Sequence, residues 1–459
     1  MTRHSILAAI AVGALACNST FADWQRFRGP NGSGVSETPV PVEFGEEKNM
    51  KWKAKLPGPG VSSPIIVGDR VFVTCYSGYG GQLGRDMEKL KRHLVCIDRK
   101  SGDILWDKSV PGDKAEDPWN GAGVPAHGYA SHTPTSDGKY VFTFYGKSGV
   151  FAWDMDGNQK WQVDVGKESG RMRWGSSSSP IVYKNSVIVT ASDESESIIA
   201  LDATTGKAKW KEQAAMLGSV WGTPALAEGP KGTEIVLAVP GEIWGFNADT
   251  GKLRWYSKGN EGASHSVVVS DGIVYSIGGG RGGSNGVAVK VGGKGEVQEL
   301  VWENRASARF ASQLVHKNRV YNVNGGIVAS FDATTGDKVF EKRLPQSSAG
   351  GGRDRGGQQG GQRGPGGAGA QGGGRQGGGR GFGGGGRGGS EYASPIIAGD
   401  KLYIVTGSGK VHVLEAADEY KLVATNDLSF DKSGFAATPA ASDGQLIIRS
   451  NSHVYCVSE

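Results

Sequence analysis

Six short segments of this chain begin with an aromatic residue that is followed by small residues. They are Tyr129-Ala-Ser-His132, Trp174-Gly-Ser, Trp221-Gly-Thr, Phe310-Ala-Ser, Tyr392-Ala-Ser and Phe435-Ala-Ala. Aromatic faces can stack on planar or sugar-like ligands, and arginines can hold an anion. We therefore predict a ligand-binding mouth, to which we assign His132, Trp174, Trp221, His265, Arg309 and Tyr392. Aromatic and small residues also fill a crowded structural hub, and this alternative stays open.

The two histidines of this set occupy equivalent places, each after an Ala-Ser pair. A strong metal site needs three or four ligands, so two histidines alone make a weak case. We expect no bound metal and no catalytic residue here.

A repeated unit surrounds these segments and must position them. Copies such as IIALDATTGKAKW end at Trp106, Trp161, Trp210 and Trp255, each with a glycine four residues earlier. Each copy is typical of a β-strand, a tight Asp- and Gly-bearing turn and a second strand. Copies ending at Trp302 and Phe340 follow, and a seventh copy is degenerate. We expect the recurrent tryptophan to pack one unit against the next.

Two further strands precede each copy, which makes four-stranded antiparallel units spaced like propeller blades. The first strands start near eight positions: Ser63, Thr133, Ser179, Thr223, Ser266, Ser312, Ser394 and Thr438. The last unit stops after its third strand, and Met50–Leu56, with Trp52 at the tryptophan position, can supply the fourth. We predict an all-β, eight-bladed β-propeller closed by pairing of its N- and C-terminal strands. Seven blades is the alternative.

The phrase ALDATTGKxxW resembles the repeats of the pyrroloquinoline-quinone-like (PQQ-like) propeller superfamily. The likeness covers nearly all residues from Met50 to Glu459. The phrases WQRFRGPNGSG, HGYASHTPTSDG and VVSDGIVYSIGGG resemble exported members of the planctomycete type. The superfamily includes quinoprotein alcohol dehydrogenases and the lipoprotein propeller of the outer-membrane assembly machinery. The resemblance implies the fold more firmly than a function.

Quinoprotein dehydrogenases of this fold hold their quinone against a disulfide of adjacent cysteines and bind calcium through Glu, Asn and Asp. This chain has no adjacent cysteines, and no such calcium-binding trio aligns with its inner loops. We therefore expect a non-catalytic module that binds an envelope protein or a small polar, sugar-like ligand, without a cofactor. A PQQ- and calcium-dependent alcohol or sugar dehydrogenase is the alternative function.

The first 22 residues are typical of a secretory signal. Arg3 and His4 precede the apolar run Ile6–Ala16, which is too short to span a membrane, and a cleavage site lies near Ala22-Asp23. We expect a periplasmic or secreted, monomeric protein with no transmembrane segment. Acylation of Cys17 is the alternative, although the usual leucine three residues before it is missing. Residues 23–49 form an N-terminal extension, and residues 50–459 form the propeller.

An insertion at Gly350–Ser390 separates the sixth and seventh units. It holds 24 of the 76 glycines and six arginines against one acid, Asp354, so it accounts for the whole net charge of +5. Such a composition predicts a disordered linker. Adhesion to a polyanion is a second interpretation, and nucleic acid is not an expected partner of an exported protein.

The cysteines Cys75, Cys96 and Cys456 occur at positions that other units fill with small core residues. An odd, low count argues against a disulfide-stapled scaffold, and no C-x-x-C-H sequence is present for covalent haem attachment. We expect free, buried cysteines, with a Cys75–Cys96 cross-strand disulfide as the alternative.

Overall fold

A computed structural model describes residues 23–121, 123–262, 264–279, 284–345 and 392–459. Two predictions fall outside the described residues. They are the export signal at the N-terminus and the disorder of the Gly/Arg-rich insertion. Within the described residues, the chain forms eight four-stranded antiparallel blades of a β-propeller. The predicted fold class and the blade count are confirmed.

Blades 1 to 4 follow one another along the chain. Blade 1 contains Ile65–Val67, Arg70–Ser77, Lys91–Asp98 and Ile104–Pro111. Blade 2 contains Thr135–Ser136, Tyr140–Phe144, Val150–Asp154 and Gln159–Val163. Blade 3 contains Ile181–Tyr183, Ser186–Ala191, Ser197–Asp202 and Ala208–Gln213. Blade 4 contains Ala225–Gly229, Gly232–Val239, Glu242–Asn247 and Leu253–Lys258, with Gly295–Val297 added in parallel at its outer edge.

Blades 5 to 8 complete the ring. Blade 5 contains Val268–Ser270, Ile273–Gly279, Ser284–Lys290 and Trp302–Asn304. Blade 6 contains Leu314–His316, Arg319–Asn324, Ile327–Asp332 and Lys338–Arg343. Blade 7 contains Ile396–Ala398, Lys401–Val405, Lys410–Glu415 and Leu422–Asp427. Blade 8 contains Ala440–Ser442, Gln445–Arg449, His453–Val457 and, from the other end of the chain, Met50–Lys55.

Closure follows the predicted pairing of the two termini. Met50–Lys55 runs antiparallel to His453–Val457, and Trp52 lies opposite Cys456. Arg99 of blade 1 donates to the side chain of Gln445 and to the backbone oxygen of Ser442 in blade 8, at 2.7 and 2.8 Å. The first and last blades are therefore joined by hydrogen bonds as well as by apolar packing.

The repeated tryptophan and glycine meet across five of the blade boundaries. The ring of Trp161 lies against Gly206 in the turn of the next blade, where the glycine φ is +73°. The indole Nε1 of Trp161 donates to the backbone oxygen of Ala203 at 3.0 Å. The same packing on a turn glycine recurs at Trp52, Trp106, Trp210 and Trp302. Trp255 differs, because it is fully buried and donates to a carboxylate oxygen of Glu234 within its own blade.

Apolar side chains between neighbouring blades form the core. The largest cluster joins blades 7, 8 and 1 and includes Val73, Cys75, Tyr403 and Ile447. Cys75, Cys96 and Cys456 are free and buried, as expected, and the alternative Cys75–Cys96 disulfide is absent.

Few of the described residues are helical. Four single turns of 3₁₀-helix occur at Pro30–Gly32, Met87–Lys89, Gly146–Ser148 and Ala215–Leu217, and two short α-helices at Val124–His127 and Ser192–Ser195. Across the described ranges, no helix has the length and apolar character needed to cross a membrane.

Candidate functional site

A cavity of about 340 Å³ occupies the hub of the propeller. Its wall combines aromatic, hydroxyl-bearing and small side chains, and Arg309 is its one permanently charged residue among those described. The cavity lies where the inner strands of all eight blades converge, which is the position that the sequence predicts for a binding site.

A collar of eight hydroxyl residues forms the middle of the cavity wall. The members are the predicted starts of the first strands: Ser63, Thr133, Ser179, Thr223, Ser266, Ser312, Ser394 and Thr438. The backbone N–H of each member donates to the side-chain oxygen of the member in the next blade, at 2.9–3.0 Å, and Thr438 closes the ring onto Ser63. In the described part of the chain, no hydrogen bond donated by these hydroxyl groups is found. The collar can therefore donate to oxygen atoms of a ligand.

Two aromatic pairs stand on one side of the collar. The rings of Trp174 and Trp221 lie 5.7 Å apart, and those of Phe310 and Tyr392 stack at 4.4 Å with an interplanar angle of 11°. The guanidinium carbon of Arg309 lies 5.0 Å from the Phe310 ring centre. The structure thus brings together four of the six residues assigned from the sequence: Trp174, Trp221, Arg309 and Tyr392.

The other two assigned residues lie behind the wall. His132 is buried, and its Nε2 lies 3.1 Å from the hydroxyl of Ser176. His265 is buried in blade 5, with its Nε2 2.7 Å from the hydroxyl of Ser276. Burial lowers the pKa of His132 and that of His265, the latter to about 4, so both imidazoles are neutral at pH 7.

A different histidine, His127, lines the cavity. Its Nε2 lies 2.6 Å from the backbone oxygen of Trp174, and its Nδ1 lies 2.6 Å from the hydroxyl of Ser131. The carbonyl can only accept, so Nε2 carries the proton and holds the Trp174 backbone in place. The repeat pattern does not predict His127, because this residue precedes the repeated aromatic position. Its place in the phrase HGYASH was the only available signal.

The N-terminal extension contributes to the cavity wall below the collar. The side chain of Phe27 forms part of the wall, between two buried arginines. Arg26 donates to the backbone oxygen of Pro224 in blade 4 at 2.6 Å, and Arg28 donates to that of Gln313 in blade 6 at 2.7 Å. Pro224 and Gln313 directly follow collar residues in the chain, whereas the paired aromatic residues precede collar residues. Phe27 therefore lies at the opposite end of the cavity from the aromatic pairs.

This extension also contacts other blades. Trp24 exchanges backbone hydrogen bonds with Ile66 of blade 1, and Val35–Ser36 pairs in parallel with Ile397 and Ala398 of blade 7. The sequence pattern predicts no role for residues 23–49. The structure shows that they reach from blade 4 to blade 6 and that Phe27 lines the cavity.

A buried polar cluster lies behind Trp174 and His127. Lys147 pairs with Asp117 at 3.2 Å, Arg92 pairs with Glu116 at 2.5 Å, and Ser176 donates to Glu194 at 2.5 Å. Glu194 is 1% exposed, and burial raises its pKa to about 8 despite the hydrogen bond from Ser176. Burial likewise raises the pKa of Asp193 to about 6. The cluster contains more carboxyl groups than cations, so protonation of Glu194 relieves the excess.

The described wall of the hub cavity does not contain the donor types used in the quinone-dependent chemistry of this fold. No group of three or more His, Cys, Asp or Glu side chains there could hold a metal ion. None of the three described cysteines lines the hub cavity. The described lining of the hub cavity contains no Glu, Asn or Asp, the residue types that hold the calcium ion in the dehydrogenases of this fold.

Comparisons with known proteins agree with the fold. The family model PQQ_2, described as outer membrane protein assembly factor BamB, matches residues 90–266 and 241–359. A search of curated proteins finds no match. The structure is similar to BamB from Moraxella catarrhalis, with a TM-score of 0.55 and 13% identity over 89% of this chain and 98% of that one.

Two redox enzymes are similar to a comparable degree. A europium-containing methanol dehydrogenase gives a TM-score of 0.62 at 10% identity, over 93% of this chain and 89% of that one. The quinohemoprotein alcohol dehydrogenase from Comamonas testosteroni gives 0.59 at 11% identity, over 95% and 80%. At these identities the likeness shows a common fold, and the function has to be inferred from the residues of the site.

Proposed function

Because this chain belongs to the family described as outer membrane protein assembly factor BamB, we propose that it is a binding scaffold of the cell envelope. In this proposal the protein is exported by its N-terminal signal and acts without catalysis. It takes an envelope protein or a small, polar, sugar-like ligand at the aromatic end of its hub cavity.

The observation that carries this proposal is the combination of aromatic faces and free hydroxyl donors around one cavity. Trp174 and Trp221 offer ring faces, and the collar offers donors to hydroxyl or carbonyl oxygens of a ligand. Sites that bind polar rings combine these two features. Arg309 stands at the same end of the cavity and can pair with an acidic group of the ligand.

Tryptophan substitutions test this site against a matched control. Aromatic stacking contributes about 0.5–1.5 kcal/mol per pair beyond area burial, so Trp221→Ala should weaken binding about tenfold. Trp210→Ala removes a tryptophan that packs on Gly251 at a blade boundary, so it should lower stability and leave affinity unchanged. The measurement is calorimetric titration with neutral and acidic oligosaccharides, together with quantitative capture from native envelope extracts.

Two results would contradict the proposal. Equal binding by wild type and Trp221→Ala would mean that the aromatic wall is structural and that the site lies elsewhere. Alcohol-dependent reduction of an artificial dye after addition of PQQ and Ca²⁺ would instead favour the dehydrogenase alternative.

A further inference from the structure

A second group of chemically active side chains lies in blade 1, away from the hub cavity. The hydroxyl of Ser77 is 2.8 Å from Nε2 of His93. Nδ1 of the same imidazole is 2.9 and 3.1 Å from the two carboxylate oxygens of Asp107. The three side chains form a continuous relay of serine, histidine and carboxylate.

The register of three adjacent strands produces this relay. Cys75 lies opposite His93, and His93 lies opposite Ser109. Ser77 is two residues beyond Cys75, and Asp107 is two residues before Ser109. Alternate residues of a strand share a face, so Ser77, His93 and Asp107 project from the same face of the blade. The strands are paired along their length, which holds the three groups in fixed positions.

The hydrogen bonds determine the tautomer of His93. An ionised carboxylate can only accept, so Nδ1 donates its proton to Asp107. The lone pair of Nε2 is then directed at Ser77, which donates its hydroxyl proton to it. A serine that donates to a histidine held by a carboxylate is the arrangement of an activated nucleophile, whatever the order of the residues in the chain.

The side chains of the relay differ in how deeply they are buried, and these differences suit this chemistry. The side chain of His93 is 9% exposed, which shields the base, and that of Asp107 is 33% exposed. Cys75 is completely buried, whereas Ser77, at the end of the same strand, is partly exposed. A reagent in solution can therefore approach the serine from the rim of the blade.

We propose that Ser77 is a nucleophile for acyl transfer from activated esters, with His93 as general base and Asp107 as positioning residue. Ser77 Oγ bonds to the acyl carbon, its proton passes to His93 Nε2, and the bond to the leaving alcohol breaks. The alcohol takes the proton from His93. Water then attacks the acyl carbon while His93 Nε2 takes one of its protons. The bond to Ser77 breaks, Ser77 Oγ regains that proton from His93, and the carboxylic acid leaves. Activated esters are the substrate class because their leaving groups depart with little assistance.

A fluorophosphonate probe tests the nucleophile in the full chain. Ser77 Oγ should displace fluoride, and intact mass and peptide mapping should place one adduct on Ser77. His93→Gln should slow labelling about 100-fold or more, the usual contribution of a general base. Ser109→Ala is the matched control, because Ser109 is an exposed serine directly opposite His93, and labelling should be unchanged.

Chemical rescue separates catalysis from structure. Free imidazole should restore labelling of the His93→Ala variant, and Asp107→Glu should retain more activity toward 4-nitrophenyl acetate than Asp107→Ala. Only variants with equal melting temperatures are compared, so that misfolding is not mistaken for loss of the base. Absence of an adduct on Ser77, or labelling that is equally fast in His93→Gln, would overturn the proposal. Neither result bears on the hub cavity, which shares no residue with this relay.

Discussion

The contact between Trp161 and Gly206 gives the sharpest test of how the blades hold together. A Cβ at residue 206 would lie 2.8 Å from Cδ2 of Trp161 and 3.0 Å from Cγ2 of Val163, with φ at +73°. The left-handed conformation costs alanine about 1–2 kcal/mol. Crowding in a packed interface adds about 1–3 kcal/mol. Gly206→Ala should therefore lower the free energy of unfolding by about 2–5 kcal/mol.

Gly241 provides the matched control for this substitution. Its φ is +85°, but no atom lies within 4 Å of the Cβ position. Gly241→Ala should cost only the conformational share, about 1–2 kcal/mol. The assay is equilibrium unfolding in guanidinium chloride, with both variants measured beside the wild type. A double-mutant cycle with Trp161→Phe isolates the crowding, because a smaller ring should reduce the cost at residue 206 and leave that at residue 241 unchanged.

Equal costs for the two alanine variants would refute this reasoning. Such a result would mean that the interface yields without penalty and that the tryptophan does not pack tightly on the neighbouring turn. The repeated Trp–Gly spacing would then reflect turn conformation alone.

Three further predictions concern closure, the insertion and pH. Deleting residues 1–56 removes Met50–Lys55 and unpairs the edge at His453–Val457, so thermal unfolding should shift to much lower temperature, and an unchanged melting curve would contradict the closure. Replacing Gly350–Ser390 by a short Gly-Ser turn should leave the melting temperature nearly unchanged, since loop-closure entropy varies slowly with length, and a fall of many degrees would show that the segment packs. The folded-state pKa of Glu194 is raised from its ordinary value of 4.5 to about 8, so its contribution to stability is complete below pH 4.5 and is lost as the pH rises to about 8. The unfolding free energy of the wild type should fall between pH 5 and pH 9, and in Glu194→Gln this fall should be smaller by an amount on the order of a few kcal/mol. Parallel pH profiles for the two proteins would refute the assignment.

The repeating part of the sequence determined the blades, their number and their closure. Apolar alternation and turn glycines are local signals, and each recurs often enough to be counted. The eight hydroxyl residues that mark the first strands were identified from the sequence, as were Trp174, Trp221, Arg309 and Tyr392 in the hub wall. Equivalent positions in successive blades face the same axis, so one correct alignment of the repeats places all of them.

Only the tertiary structure decided the features that do not repeat. Phe27 reaches the floor of the cavity through hydrogen bonds that join residues 198 and 285 positions apart, from Arg26 to Pro224 and from Arg28 to Gln313. His127 lines the wall and His132 does not, because the short helix Val124–His127, which precedes blade 2, ends at the cavity. Ser77, His93 and Asp107 meet through strand register across two hairpins of unequal length. Such contacts depend on how distant segments pack, and a periodic pattern contains no information about them.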